Sequence, residues 1–307
     1  MSQKRRVQIP LIQALSWIVG STLIISGSAH TLFSFFLDPS RQVYKKEVPV
    51  ITSLIQTGPQ KEPLSSEYLA QLMRLSKNRP RVVSRFDPAA AVAVLLSSPL
   101  IKQAEVKLIK PSTLYVDYTV RQPVGWVYDY ENIGIDKEGF LIPMHPFFPP
   151  KNLPEIYLGL SAFGSEPRGM QWPKSEWNHP LESPILQLAF DIMFRMQSVS
   201  RDLFRIKRID VSKAFDLNLG SREVIVVVDN EVFGSSAIPV SCIHYLRLSS
   251  DRYSQELGNY LELRTKLIEL DSLRVTSACN TQDKCTHETV IDLRLDQLAY
   301  IEEVTRK

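Results

Sequence analysis

Three cysteines and five histidines are the side chains of this 307-residue chain best suited to binding a metal ion. Cys279, Cys285 and His287 lie close together in the sequence, and thiolates and imidazoles are the usual ligands of zinc. A fourth ligand is lacking, and no two histidines have the i, i+4 spacing of a helical zinc motif. We therefore predict no metal site and no cofactor.

The same two cysteines are candidates for a disulfide. Cys279 and Cys285 bracket a short polar stretch, a spacing typical of a loop closed by a disulfide in an oxidising compartment. Cys242 would then be a free thiol. Three unpaired thiols fit the sequence as well, and both interpretations stay open.

Catalytic motifs are missing from the sequence. It contains no Gly-x-Ser-x-Gly elbow, no phosphate loop ending in Gly-Lys-Ser/Thr, no His-Glu-x-x-His and no Gly-x-Gly-x-x-Gly. Acidic pairs such as Glu302 and Glu303 are typical of a solvated surface, and no pattern selects two carboxylates as an acid–base pair. We predict a protein without catalytic residues, which is not an enzyme.

The elements that would position any site begin with a long uncharged stretch. Behind Lys4, Arg5 and Arg6, residues 7–37 contain no Asp, Glu, Lys or Arg. About 20 apolar residues suffice for a helix to cross a bilayer core of about 30 Å. We predict a cytoplasmic tail over residues 1–10 and a transmembrane helix over residues 11–37, because short basic segments stay on the cytoplasmic side.

A cleaved secretory signal is the alternative, with a small-residue cleavage site at residues 27–29. The apolar run resumes at residues 32–37, which favours an uncleaved anchor, and both interpretations export the remainder. Of the 36 Lys and Arg residues, 33 remain outside the basic tail and face 33 Asp and Glu. A neutral exported region excludes the basic footprint of a nucleic-acid-binding protein.

The exported part is predicted to be α+β. Residues 44–143 have the order β-α-α-β-β-β, with helices starting near Glu67 and after Asp87, and a turn at Gly139. Residues 144–183 lack periodicity and are predicted to be a connecting segment. Residues 184–303 are predicted to form a separate β-rich domain: a helix from Pro184, a helix capped by Asp251, and strands near residues 205–210, 215–219, 223–229, 238–248, 273–275 and 289–301.

An ordered set of short motifs gives a more specific indication. They lie at residues 98–106, 110–114, 120–124 and 135–140. In order and spacing they resemble P-x-[IV]-x-x-A-x-V, P-x-x-L, E-R-x-P-[VI]-A and [VI]-D-x-x-G, the motifs of the bacterial cell division family FtsQ/DivIB. Two later matches are L-P-x-L-x-G, at residues 153–159, and [VI]-D-[LM]-R-[YF], at residues 291–295. Val120, Gly125 and Leu295 depart from the family pattern.

The resemblance implies a single-pass protein of the cytoplasmic (inner) membrane, with its bulk in the periplasm or its equivalent. It implies a POTRA domain over residues 44–143 and an FtsQ-type β-domain over residues 184–303. The implied function is a non-enzymatic scaffold of the divisome, which organises septal cell-wall synthesis. The implied partners are the coiled-coil division proteins FtsB/DivIC and FtsL, and contacts with FtsK- or FtsA-like proteins stay open.

The resemblance also implies a partner-binding strand near the C-terminal motif, with Leu295, Gln297, Leu298 and Ile301 as its binding residues. A last strand at a sheet edge has free N–H and C=O groups that pair with another chain. Apolar and charged residues alternate here, so a strand with one buried face is the other interpretation.

Two other function classes stay open. One is a POTRA-type periplasmic chaperone for outer-membrane proteins, although the chain lacks the period-2 segments of a barrel. The other is a membrane-anchored envelope enzyme.

Overall fold

The structure is a computed structural model with an apolar N-terminal helix and a β-rich remainder. Two compact units are distinguished: Met1–Val50 with Val82–Ser84, and Ile51–Arg81 with Arg85–Lys307. The structure describes residues 11–37, 48–59, 61–76, 78–163, 179–200, 203–233, 239–278, 286–296 and 298–304.

Helix α1 spans Leu11–Leu37, as the uncharged stretch predicts. Its segment Ile12–Ser34 is long and apolar enough to cross a membrane. The hydroxyls of this helix donate to carbonyls one turn earlier: Ser21 to Ile18 and Ser28 to Ile25, both at 3.0 Å. Because these hydroxyls already donate within the helix, transferring them from water into the hydrocarbon core of a membrane costs less free energy than transferring unpaired hydroxyls.

A three-stranded sheet follows, formed by β1 (Ser53–Thr57), β2 (Ile101–Ile109) and β3 (Thr113–Val120) in the order β1-β3-β2. Strand β3 lies parallel to β1 and antiparallel to β2. Helices α2 (Ser66–Leu72) and α3 (Pro88–Leu96) share its core, to which Leu69, Leu95 and Leu114 contribute fully buried side chains.

Side-chain caps fix where these helices begin, and they confirm the predicted starts. The Ser65 hydroxyl accepts a hydrogen bond from the Tyr68 amide at 3.1 Å. The Asp87 carboxylate accepts from the Ala89 amide at 2.9 Å, and Pro88 occupies the first turn of α3. Each cap satisfies an amide that has no partner inside its helix.

The remaining strands form one nine-stranded sheet in the order β12-β11-β10-β9-β8-β7-β4-β5-β6. Pairs β4–β7, β7–β8 and β10–β11 are parallel, and the others are antiparallel. Helices α4 (Pro184–Ser200) and α5 (Tyr253–Ala278) contribute Ile192 and Tyr260 to its core. The strands are β4 Pro123–Val127, β5 Ile133–Asp136, β6 Leu141–Pro143, β7 Glu155–Tyr157, β8 Arg205–Asp210, β9 Val224–Phe233, β10 Pro239–Leu248, β11 Thr286–Asp292 and β12 Tyr300–Glu303.

The predicted division at residue 143 differs from the observed pairing. Strands β4 to β6 were expected to complete the N-terminal module over residues 44–143, but they pair within the nine-stranded sheet. The predicted connecting segment, residues 144–183, contains β7, an interior strand between β4 and β8; its residues 164–178 lie outside the described ranges. Strand β7 was not predicted because a three-residue strand is too short to show periodicity. Its place in the sheet is set by pairing with strands that are distant in the sequence.

Two predicted strands do not form. Residues 215–219 make turns, since the Asp216 and Asn218 side chains accept from amides two residues ahead, at 3.0 and 3.1 Å. Such local bonds compete with strand pairing, and the Leu217 side chain is left 98% exposed. Residues 273–275 continue helix α5, whose buried Leu267 and Asp271 are four residues apart on one helix face.

Arg121, which follows β3, connects the two sheets. Its Nη1 atom donates to Asp136 Oδ2 at 2.9 Å and to Glu138 Oε2 at 3.0 Å, and its guanidinium lies 3.4 Å from the Phe140 ring centroid. Asp136 Oδ1 accepts from the amides of Glu138 and Phe140, both at 2.9 Å. Gly139 has the positive φ of 89° that this turn requires. We call this set the Arg121 brace; it joins two of the sequence motifs.

Candidate functional site

Strand β12 is the last strand of the nine-stranded sheet. It pairs with β11 in antiparallel register, with Ile301 opposite Ile291. In the part of the chain that the structure describes, no strand pairs with its other side. An unpaired strand edge is a template for a strand of another chain.

The hydrogen-bond pattern shows which backbone groups of β12 turn outward. The Val304 amide donates to the Glu288 carbonyl at 3.0 Å, so these two residues form a hydrogen-bonded pair. Such pairs alternate along an antiparallel ladder, which directs Glu302 and Tyr300 toward β11. Ile301 lies between them and directs its N–H and C=O away from the sheet.

Apolar side chains surround this edge. Exposed fractions are 43% for Ile301, 58% for Tyr300, 69% for Leu298 and 54% for Leu295. Three of the sequence-predicted binding residues are therefore exposed near the edge, and the fourth, Gln297, lies outside the described residues. Tyr300 was not among the predicted residues, although it continues the apolar alternation.

The predicted single strand over residues 289–301 is wrong. The run divides into β11, an interior strand parallel to β10, and β12, with Leu295 and Leu298 in the connection between them. The Arg294 amide donates to Asp292 Oδ1 at 3.1 Å, a side-chain turn that ends β11. The exposed edge strand is thus Tyr300–Glu303, which includes the predicted binding residue Ile301 but neither Leu295 nor Leu298.

Ion pairs hold the connection in place. Asp292 accepts from Arg294 Nε at 2.9 Å and Nη2 at 2.6 Å, and Arg252 pairs with Asp296 and donates to the Arg294 carbonyl at 2.9 Å. Burial acts to raise the pKa of Asp292, but the hydrogen bonds from Arg294 outweigh it and hold that pKa below its usual value. Burial likewise opposes ionisation of Glu223, whose pKa is nevertheless lowered by its bonds to Arg247.

A polar groove of about 530 Å³ lies beside the first residue of β12. Three arginines and two aspartates line it, together with apolar side chains that include Tyr300 and Leu295. A segment paired with β12 would therefore have one end at this groove. The lining residues are Leu219, Gly220, Arg222, Ser249, Ser250, Asp251, Arg252, Asp292, Arg294, Leu295 and Tyr300.

A second cluster of chemically capable side chains is buried between α5 and the sheet. His244 Nε2 lies 2.8 Å from Asp271 Oδ2, and its Nδ1 lies 3.0 Å from the Tyr260 hydroxyl. Asn230 Nδ2 donates to the same hydroxyl at 3.3 Å, and Arg264 Nε donates to Asn230 Oδ1 at 2.8 Å. A second histidine, His287, places Nε2 3.3 Å from Asp271 Oδ1.

Most members of this network are buried, and they hydrogen-bond to one another. Burial raises the pKa of Tyr260 to about 12, so its hydroxyl keeps its proton. A proton on His244 Nε2, which faces the Asp271 carboxylate, leaves Nδ1 as the acceptor for that hydroxyl. His244, Tyr260 and Asn230 are each fully buried, and Tyr260 also lines a cavity of about 280 Å³ between α4 and α5. The sequence did not reveal the network because its members are distributed over four elements; the only signal is the place of His244 on the inward face of β10.

We expect Tyr260→Phe to lower the free energy of unfolding by about 1–3 kcal/mol, because the buried His244 Nδ1 loses the hydroxyl that donates to it. Thermal or denaturant unfolding of the purified protein measures this. Tyr300→Phe is the matched control, since its ring is exposed, and it should change stability by less than about 0.5 kcal/mol. Equal effects of the two variants would contradict the role of the network.

The cysteines add no described site. Cys242 is buried and free, and burial raises the pKa of its thiol to about 11, which makes it a poor nucleophile. Cys279 and Cys285 lie outside the described residues, so their disulfide stays a prediction. Among the described residues, no group of three or more His, Cys, Asp or Glu side chains is arranged to hold a metal ion.

Comparison with known proteins adds no assignment: no model of a known protein family matches this chain, and no curated protein sequence matches it.

Proposed function

We propose that this chain is a divisome scaffold of the FtsQ/DivIB type, anchored in the cytoplasmic membrane by α1 with residues beyond α1 outside the cytoplasm. It binds an FtsB- or FtsL-like coiled-coil protein and so links that protein to septal cell-wall synthesis. The observation that carries the proposal is the open edge of β12, where Ile301 directs its backbone groups outward.

Three features support this assignment. The motif order resembles the family, and the apolar helix α1 precedes a β-rich remainder, as in a single-span scaffold. The elements β1-α2-α3-β2-β3 match the first five of the six elements predicted for a POTRA domain; the predicted last strand is replaced by β4 to β6, which pair in the other sheet. The Arg121 brace gives a structural role to three residues that match the family motifs: Arg121 in one motif, and Asp136 and Gly139 in the next.

Binding at β12 follows the physics of strand addition. A segment of the partner pairs with the outward N–H and C=O of Ile301, and these main-chain bonds provide affinity without regard to sequence. Specificity comes from side chains at alternate positions, which meet the exposed Tyr300 and Ile301. A scaffold of this kind needs no catalytic residue, since its function is to hold partners together.

Purification of the tagged full-length protein from its native membranes tests the proposal. We expect small FtsB- or FtsL-like coiled-coil proteins to co-purify in stoichiometric amounts. Recovery of outer-membrane assembly proteins in their place would favour the chaperone alternative. Absence of any division protein from preparations of dividing cells would contradict the scaffold proposal.

A further inference from the structure

The cavity of about 280 Å³ between helices α4 and α5 has an apolar interior. Its most deeply placed side chains, Met196, Leu257 and Tyr260, are 4%, 7% and 0% exposed. Phe204 adds a second ring, edge-on to that of Tyr260 with the ring centroids 6.1 Å apart. The Tyr260 hydroxyl is engaged with His244, so Tyr260 contributes its ring to the cavity. A group that needs hydrogen bonds therefore finds no partner in this interior among the described residues.

The rim of the cavity is polar and carries one cation. Arg195, Ser198 and Ser254 line it, and all three are exposed. Arg195 Nε donates to Asp191 Oδ2 at 2.9 Å, but the side chains of this i, i+4 pair are 54% and 43% exposed, and such pairs are weak. A guanidinium has five N–H donors, so Arg195 is able to bind a second anion beside Asp191.

Gly258 keeps one wall of the cavity open. It lies in the interior of α5, where glycine is less favourable for the helix than alanine. Its φ is not positive, and a Cβ atom at this position would have no heavy atom within 4 Å. Neither the backbone conformation nor packing against the described residues requires glycine here. A large side chain at this position would instead take up space in the cavity that Gly258 lines.

We propose that this cavity binds the alkyl chain of a fatty acid, with the carboxylate of that fatty acid held by Arg195. An apolar interior favours hydrocarbon, and an apolar cavity of roughly 150 Å³ already holds benzene. The larger volume here accommodates a longer chain. The arginine at the rim provides the charge that complements one carboxylate. This binding is separate from the capture of a partner at β12, so each proposal is tested without the other.

Thermal melts of the full-length protein test the proposal, with decanoate as the probe. A steroid-type detergent is used, because it has no alkyl chain that competes for the cavity. We expect decanoate to raise the melting temperature of the native protein in a concentration-dependent manner, since it binds the folded state. Gly258→Leu fills the cavity and should abolish this rise. Asn259→Leu, which adds the same side chain at the next exposed position of α5, is the matched control and should preserve it.

Two further variants separate the chain from the carboxylate. Arg195→Gln should weaken decanoate binding about threefold to tenfold and leave the binding of decanol unchanged, because decanol carries no charge. Gly258→Ala should raise the melting temperature of the ligand-free protein, because alanine favours the helix, and should weaken decanoate binding less than Gly258→Leu does.

The outcomes distinguish the parts of the proposal. If decanoate does not raise the melting temperature of the native protein, or raises that of Gly258→Leu equally, the cavity does not bind fatty acids. If Arg195→Gln binds decanoate with native affinity while Gly258→Leu does not bind it, the alkyl chain lies in the cavity but Arg195 does not hold the carboxylate.

Discussion

Ile301→Pro is expected to abolish capture of the partner by β12 and to leave the fold intact. Proline removes the N–H that Ile301 directs outward and adds a ring where the captured strand would lie. Edge strands tolerate proline at such a position, because that N–H makes no bond within the sheet. We expect affinity for the purified FtsB-like protein to fall on the order of 100-fold or more.

Two neighbouring variants separate edge capture from general damage. Glu302→Pro removes an N–H that faces β11, so it should lower the free energy of unfolding by about 1–3 kcal/mol. Ile301→Ala keeps the backbone donor and should weaken binding far less than proline does. If Ile301→Pro folds with a native thermal melt and binds with native affinity, β12 is not the site of capture.

Arg121→Ala is expected to destabilise the protein by about 3–5 kcal/mol, because Asp136 would keep a buried charge without its partner. The side chains of Arg121 and Asp136 are only 10% and 4% exposed. The change also removes the guanidinium from the Phe140 ring, so the turn after β5 loses a packing contact as well. Denaturant unfolding of the purified protein measures the loss.

Lys102→Ala is the matched control for the Arg121 brace. Lys102 pairs with Glu138 of the same turn, but both side chains are more than one-third exposed, and such pairs contribute about 0–1 kcal/mol. The double variant Arg121→Ala with Asp136→Ala should lose less than the sum of the two single variants, since the second change removes the orphaned charge. Equal losses for Arg121→Ala and Lys102→Ala would show that the brace is not a buried ion pair in solution.

Local chemistry made parts of the fold predictable. The cap residues Ser65 and Asp87 determine where α2 and α3 begin, and the uncharged stretch determines α1, because each effect acts within one or two turns of the chain. The turn at Gly139 was predictable for the same reason, because the positive φ that requires glycine is a local property of that residue.

Long-range pairing made other parts unpredictable. The hydrophobic pattern of β4 to β6 indicates strands but not which sheet they join. That choice depends on β7 and on β8, which begins 82 residues after the start of β4. At the candidate site, alternation indicated a strand, but the Asp292–Arg294 turn that divides it depends on side-chain geometry. The side-chain partners of His244 come from β9 and α5, which no spacing in the sequence brings together with β10.

The order of the strands along the chain has a consequence for synthesis. Every other strand of the nine-stranded sheet precedes β12, and β11 reaches β10 only through the crossover helix α5. A nascent chain that has not yet released residues 300–303 from the ribosome therefore presents β11 as its outermost strand, with a different register and different side chains. The surface proposed to recruit the partner is therefore assembled only after the other strands of the sheet have been made, and a chain truncated before residue 300 lacks it.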